Sequence, residues 1–345
     1  MPRTSRRDDG RQRLLALVDD FAGTRVAVFG DLIVDEFIYG QISRVSREAP
    51  VLILEYDSTE IVPGGAGNAA NNVAALGGRA SAIGVTGQDE QGSRLLDVLS
   101  KHVDAAGVVR SRAMRTPTKT RILAGGVHSA KQQVVRIDRA ARPTVEAAVH
   151  RTVELTLNAA IARCDALLVS DYGGGLVTPA LVTAARRKLR GPGRRLPPLL
   201  VDSRYALLQF QGMTACTPNE SEVEQQLGIK IGDDLRILEN AGRELLKRTA
   251  AEALLITRGS RGMALFQPGR ATVHIPIFGS DQIADVTGAG DTVIATMTLA
   301  LAAGGTFEDA ARLANYAGGL VVMKRGTATV TARELRAAIA SDSRD

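Results

Sequence analysis

The apolar residues of this chain fall into short unbroken runs separated by stretches with helical spacing. Arg25-Val26-Ala27-Val28-Phe29-Gly30-Asp31 reads as a buried strand ending at a glycine turn. Ala80 to Val85, Ala166 to Ser170, Leu199 to Asp202, Met213 to Thr217 and Ala253 to Thr257 have the same character. Continuous apolar runs of this length suit strands buried on both faces. Helical patterns, such as Gly65 to Leu76 and Glu90 to Lys101, separate most of them. The alternation predicts an α/β fold in three layers, a central mostly parallel sheet with helices on both faces. Two regions, about 36–62 and 115–138, instead alternate apolar and polar residues, as in Val51-Leu52-Ile53-Leu54-Glu55 and Val134-Val135-Arg136-Ile137-Asp138. They predict antiparallel strands outside the main sheet, a small β-sheet lid. Residues 1–12 are polar and predict a disordered tail, leaving a single domain over 13–345. Gly191-Pro192-Gly193 predicts a loop within it.

Apolar residues make up 45% and charged residues 23% of the 345 positions, the balance of a soluble globular protein. The apolar run Thr292 to Ala303 is too short to span a bilayer. The polar, basic start carries no secretory signal, and Cys164 and Cys216 stand apart, so a cytoplasmic protein without structural zinc is expected. The net charge of +6 raises the question of nucleic acid. Aromatics are only 3%, however, and no nucleic-acid-binding motif is present. A phosphorylated small molecule suits the charge better.

Several strand runs end in polar residues: Asp31, Ser170-Asp171, Asp202, Thr217-Pro218-Asn219 and Thr257-Arg258-Gly259. Ligands of doubly wound sheets sit beyond such carboxyl ends. The run Asp285-Val286-Thr287-Gly288-Ala289-Gly290-Asp291 precedes a buried helix. A glycine turn there points backbone N–H donors and the positive end of the helix dipole at a bound anion. Asp291 in the first turn is then placed to take a proton from an attacking hydroxyl. A glycine-rich helix start with an acidic first turn fits the same residues. Pro63-Gly64-Gly65-Ala66-Gly67-Asn68 is a second cluster where a ligand can approach the backbone closely, or where glycines serve helix packing.

The two clusters together, with Gly30-Asp31-Leu32-Ile33-Val34-Asp35, Ser43 to Val51, Ser170-Asp171-Tyr172, Thr217-Pro218-Asn219-Glu220 and Gly326 to Val330, resemble the ribokinase (PfkB) family of sugar kinases. The resemblance runs from about Arg25 to Val330, and within the family is strongest to the D-glycero-D-manno-heptose 7-phosphate kinases. It implies a ribokinase-like fold and phosphoryl transfer from ATP, with Asp291 as base and Gly288, Ala289 and Gly290 as anion hole. It implies that Asp35, Gly64, Gly65 and Asn68 hold the sugar. Asn219, Thr257, Gly259 and Asn315 would line the nucleotide site, and Glu222 would hold Mg²⁺ through water. Asp285, with the backbone near Thr287 and Gly326, resembles loops that bind a monovalent cation such as K⁺. The lid is expected to pair with another lid in a homodimer, and Arg44, Lys119, Arg121 and Arg136 are candidates for a substrate phosphate.

The chain departs from the heptose-kinase pattern in two places. It has Ser170-Asp171-Tyr172-Gly173-Gly174-Gly175 where Ser-Asp-Tyr-Ala-Lys-Gly is usual, and Asp202-Ser203-Arg204 where Asp-Pro-Lys is usual. Two lysines near the phosphates are missing; Arg204 can replace one of them as a cation, though not where the site needs a compact charge. The length leaves no room for the cytidylyltransferase domain fused to some of these kinases, so that step is expected from another protein. A kinase of another sugar, sugar phosphate or nucleoside stays open, as does a catalytically weak sugar- or nucleotide-binding regulator.

Overall fold

A computed structural model describes residues 3–125, 131–139, 146–189, 196–279, 285–324 and 326–342, with side chains from residue 9 onward. The loop at Gly191-Pro192-Gly193 and residues 126–130 of the expected lid lie outside the described residues. The strands are β1 (Arg25–Gly30), β2 (Leu32–Val45), β3 (Leu52–Gly65), β4 (Arg79–Gly87), β5 (Asp104–Ser111), β6 (Thr118–Gly125) and β7 (Gln132–Arg139). They continue as β8 (Ala166–Asp171), β9 (Leu199–Ser203), β10 (Ala215–Cys216), β11 (Ala253–Thr257), β12 (Met263–Phe266) and β13 (Val273–Ile275). The helices are α1 (Arg3–Asp19), α2 (Ala66–Ala75), α3 (Glu90–Leu99), α4 (Ala147–Ile161) and α5 (Pro179–Leu189). After them come α6 (Glu220–Leu227), α7 (Leu235–Thr249), α8 (Ala289–Ala302), α9 (Phe307–Val321) and α10 (Ala332–Ser341).

The main sheet runs β13-β12-β11-β10-β9-β8-β1-β4-β5 and is parallel from β11 to β5. Two antiparallel strands close the edge beyond β11. The alternation of side chains along β1 explains the three layers. Val26 and Val28 enter a core with α1, α2, α8, α9 and α10, while Ala27 and Phe29 enter a second core with α4 to α7. A strand sandwiched this way has no polar face, hence its unbroken apolar run.

A second sheet, β3-β2-β6-β7, forms the lid. Its outer pairs are antiparallel, but β2 and β6 run parallel, against the expectation of antiparallel strands throughout. Period-2 alternation reports which face a residue occupies and says nothing of strand direction. The lid strands also extend inward past the expected bounds, to Leu32 and Gly65, so that they reach the ends of the main sheet.

The expected disordered tail is a second difference, since residues 3–12 are the first ten of α1. Local sequence gives this segment little apolar character, but tertiary contacts fix the helix. Leu14, Leu17 and Val18 are buried, Arg13 donates to Asp309 at 2.6 and 2.9 Å, and Arg11 to the Asp342 carbonyl at 2.6 Å. Among the described residues no helix is long and apolar enough to cross a membrane.

Candidate active site

Between the carboxyl ends of the main sheet and the lid lies a cleft of about 570 Å³. Asp35, Gly65, Asn219, Glu222, Thr257, Gly259, Gly288, Ala289, Gly290, Asp291 and Asn315 all line it, although they come from separate parts of the chain. Gly64 and Asn68 lie just behind its wall.

Gly288 caps α8 in the left-handed conformation, φ 77°, and Asp291 is the third residue of the helix. A Cβ on Gly288 would come within 2.5 Å of Asn68 Nδ2, so glycine lets that amide pass behind the turn. Asn68 Nδ2 donates to Asp291 Oδ2 at 2.7 Å, and Tyr172 Oη donates to Asp291 Oδ1 at 3.2 Å. The orientation of Asn68 is fixed from behind, because Asn72 Nδ2 donates to its carbonyl oxygen atoms at 3.0 and 3.1 Å. Thr292 in turn donates to Asn72 Oδ1 at 2.8 Å, binding α2 to α8. Asp291 is 3% exposed, and burial pushes its carboxyl up to about 7 against the pull of Asn68 and Tyr172. Negative Asp35 adds to the rise and Lys119 opposes it. Gly290 faces open space, whereas the Ala289 N–H, expected in the anion hole, donates to Val286 O at 3.2 Å.

The lid supplies the charged end of the cleft. Asp35 on β2 is paired with Arg121 on β6, Nη1 to Oδ1 2.5 Å, and both side chains are largely buried. Arg121 also lies over the Phe37 ring at 5.2 Å, and Lys119 over the Tyr172 ring at 5.0 Å. Burial lowers the Lys119 ammonium, with Asp35 opposing and Arg204, Arg121 and Arg136 assisting. Lys119, Arg121, Arg136 and Arg204 all line the cleft. Arg44 does not; it sits on the exposed outer half of β2. Gly64 packs on Asp35, where a Cβ would lie 2.5 Å from Oδ2. Asn68, expected on the sugar, is wholly buried with its amide spent on Asp291.

The sequence marked Asp31 and Asp171 only as polar strand ends facing the ligand and gave Tyr172 no role of its own. Asp171 accepts from Ser203 Oγ at 2.7 Å and Gly173 N at 3.0 Å. Asp202 lines the cleft, and burial pushes it well above the usual carboxylate range, aided by negative Glu222, Asp291 and Asp171. Polar residues at the strand ends were the available signal for this group.

At the opposite end, Asn219 and Glu222 form a capping box on α6. Asn219 Oδ1 accepts from Glu222 N and Glu222 Oε2 from Asn219 N, both at 2.9 Å. Burial raises Glu222. Thr217 lines the cleft beside them, and its buried Oγ1 has no hydrogen-bond partner. Asn315 Nδ2 donates to Pro276 O at 2.9 Å, so its amide holds the loop that carries Ile277. Asp285 accepts from Thr287 N at 2.9 Å and Gly326 N at 3.1 Å, clamping two loops together. Among the described residues no three or more His, Cys, Asp or Glu converge on a metal site.

The model of the pfkB family carbohydrate kinases matches residues 24–333. The bifunctional protein HldE of Geobacter sulfurreducens is 42% identical over 329 residues, which cover 94% of this chain and 65% of that protein. The chain thus spans about two thirds of the length of that relative. Among solved structures, Arabidopsis thaliana ribokinase complexed with ribose and ATP matches with a TM-score of 0.69 at 17% identity, over 92% of this chain and 99% of that one. Escherichia coli phosphofructokinase-2 in complex with potassium gives 0.70 at 18%, over 92% and 98%. Those two likenesses are of fold. With the family model spanning both glycine clusters and the lid, this chain belongs to the pfkB family of carbohydrate kinases, phosphotransferases that act on a sugar hydroxyl.

Proposed function

We propose that this protein transfers the γ-phosphoryl group of ATP to the anomeric hydroxyl of D-glycero-D-manno-heptose 7-phosphate, giving the 1,7-bisphosphate, in the cytoplasm. The observation that carries the proposal is Asp291, a buried carboxyl raised to about 7 at the start of α8, between the charged lid and the strand ends. A group poised there is matched to general-base work near neutrality. The sugar oxygen attacks the γ-phosphorus, its proton passes to Asp291, and the bond to the bridging oxygen of ADP breaks. The N–H groups of Gly288 and Gly290 receive the charge that spreads over the transferred group. The resemblance to heptose 7-phosphate kinases supports the sugar. Lys119, Arg121, Arg136 and Arg204 supply cations for its phosphate. Asp35 grips sugar hydroxyls against Gly65, with Asn68 acting through Asp291.

Asn219, Thr257 and Gly259 serve the nucleotide phosphates. A carboxylate with a neighbouring hydroxyl suits Mg²⁺ that keeps most of its waters, and Glu222 beside Thr217 fits this. When bound, the ion neutralises phosphate charge. Asp285, which accepts from Thr287 N and Gly326 N and so joins two loops, is the carboxylate that would hold a monovalent cation such as K⁺. The outer lid exposes Ile42, Val45, Leu52, Tyr56, Val135 and Ile137, each 40% or more, an apolar face suited to a second lid in a homodimer.

The test is ADP release with heptose 7-phosphate, fructose phosphates, ribose, fructose and adenosine. The highest kcat/KM is expected with heptose 7-phosphate. The altered Gly173 to Gly175 turn and Ser203-Arg204 favour one alternative, another phosphorylated sugar, and a higher kcat/KM there replaces the heptose. ATP binding without turnover on any acceptor points to a regulator instead.

A further inference from the structure

The turn after β8 holds the larger departure from the heptose-kinase pattern, and its geometry gives the change a use. Tyr172 N and Gly174 N both donate to Asp31 Oδ2, at 2.8 and 2.9 Å. Asp31 follows β1 and is 7% exposed. A Cβ on Gly174 would lie 2.5 Å from Asp31 Oδ1, so glycine lets the backbone close on that carboxylate. Tyr172 is thereby tethered from behind and aimed into the cleft. Its hydroxyl reaches the base, Asp291 Oδ1, at 3.2 Å, and its ring lies under the lid ammonium of Lys119 at 5.0 Å.

A cation, an aromatic ring and a carboxylate therefore stand in series. An ammonium over the ring draws electron density from the phenol, which makes the hydroxyl a better donor. A better donor favours the anionic carboxylate and fixes which lone pair faces the sugar. The other groups that bear on Asp291 and Tyr172 are Asn68 from α2, Asp35 from β2, Asp202 from β9 and Arg204 just after it. Asn68 is locked by Asn72 within the main body. Lys119 and Asp35 belong to the lid sheet.

We propose that Tyr172 is a positioning residue through which the lid's Lys119 readies the base, so that Asp291 is oriented and anionic while the lid lies over the sugar. This rests on Asp291 being the base. A base that is ready only under the lid limits phosphoryl transfer to water.

The test is the pH profile of kcat, with the sugar saturating, for the native chain, Tyr172→Phe, Lys119→Met and the double variant, with Asp291→Asn in parallel. Phenylalanine keeps the ring, and thermal melting checks the fold. Tyr172→Phe is expected to lower kcat about tenfold at pH 6, to move the acid limb up by about one unit, and to approach native turnover at pH 9. Lys119→Met is expected to move the limb in the native background and by less than half as much in Tyr172→Phe. An unmoved limb in Tyr172→Phe, or equal Lys119→Met shifts in both backgrounds, overturns the inference. Near-native turnover in Asp291→Asn sinks the base assignment itself. An inactive Asp291→Asn beside an unaltered Tyr172→Phe sinks only the positioning role of Tyr172.

Discussion

The two ends of the cleft are built from different materials. The lid end is walled by charged side chains in close association: Asp35 with Arg121, Lys119 over Tyr172, and Arg136 with Arg204 nearby. The opposite end carries the single carboxyl of Glu222 beside Thr217 and Asn219, and the rest of its wall is backbone and small or apolar residues, among them Gly259, Gly318, Gly319, Met263 and Ile277. Charged walls discriminate, because a wrong ligand leaves a buried charge unpaired. Backbone walls shape a slot for a flat or extended group and ask little of its charge. Under the proposed function, selectivity for the acceptor belongs at the lid end and a common donor at the other, with Asp291 at the junction.

Removing the carboxylate at that junction has the largest expected effect. Asp291→Asn keeps the size and, through its one amide oxygen, can still accept from Asn68 Nδ2, while its NH2 turns the Tyr172 hydroxyl from donor to acceptor; it cannot take the proton. General-base help is worth about 10²–10⁴-fold, so kcat falls by at least about a hundredfold while the KM values for both substrates stay within a few-fold. Steady-state ADP release measures both. Near-native turnover would falsify the assignment of the base and leave the two ends without a chemical centre.

Arg121→Met sharpens the contrast at the lid end. It strands Asp35, whose side chain is 8% exposed, without its partner. Breaking a buried ion pair costs about 3–5 kcal/mol, so Tm drops by at least about 5 °C. The KM for the phosphorylated sugar rises about tenfold or more, while that for ATP is nearly unchanged. Equal losses for both substrates would show that the two ends are not energetically separate.

A pH profile of kcat/KM probes the same divide with a smaller effect. Only the unprotonated Asp291 accepts a proton, so activity falls about tenfold per unit below its raised value of about 7. The folded chain holds a proton there that the unfolded chain releases above its ordinary value of 3.8. The group's contribution to stability therefore declines as pH rises from about 4 to about 7. Activity and stability move in opposite directions across that window. An acid limb near pH 4 would mean that Asp291 is not the titrating group.

The same division marks what could be read from the chain. The buried parallel strands and the start of α8 were legible because a continuous apolar run and a glycine turn are local signals. Gly65, Thr257, Gly259 and Gly288 were likewise placed at the cleft, since backbone-walled sites leave glycines at strand ends. The direction of β6 against β2 was not legible, because alternation is blind to it. Nor was α1, which Arg13, Arg11 and Leu14 fix through partners some 300 residues away. Asn68 was placed near the site, but its bond to Asp291 was not legible, since it spans 223 residues and nothing local encodes it. The charged end thus depends on pairs that only the fold assembles.

Asn315 offers the finest cut between the two ends. The resemblance placed it along the adenosine pocket, and it does line the cleft, 7% exposed. Its amide, however, donates to Pro276 O and so holds the loop carrying Ile277. A group that acts by steadying an apolar wall contributes one ordinary hydrogen bond, about 0.5–1.5 kcal/mol, rather than a ligand contact of its own. Asn315→Ala is therefore expected to raise the KM for ATP by about two- to tenfold. The sugar KM and the acid limb should stay where they are, because nothing in this contact reaches Asp291. Asn315→Asp tests the direction of that bond. A carboxylate cannot donate to Pro276 O, so the aspartate variant should lose at least as much ATP affinity as the alanine one. Native ATP affinity in both variants would remove Asn315 from the nucleotide wall, and a rise in the sugar KM would mean that the backbone-built end and the charged end are coupled.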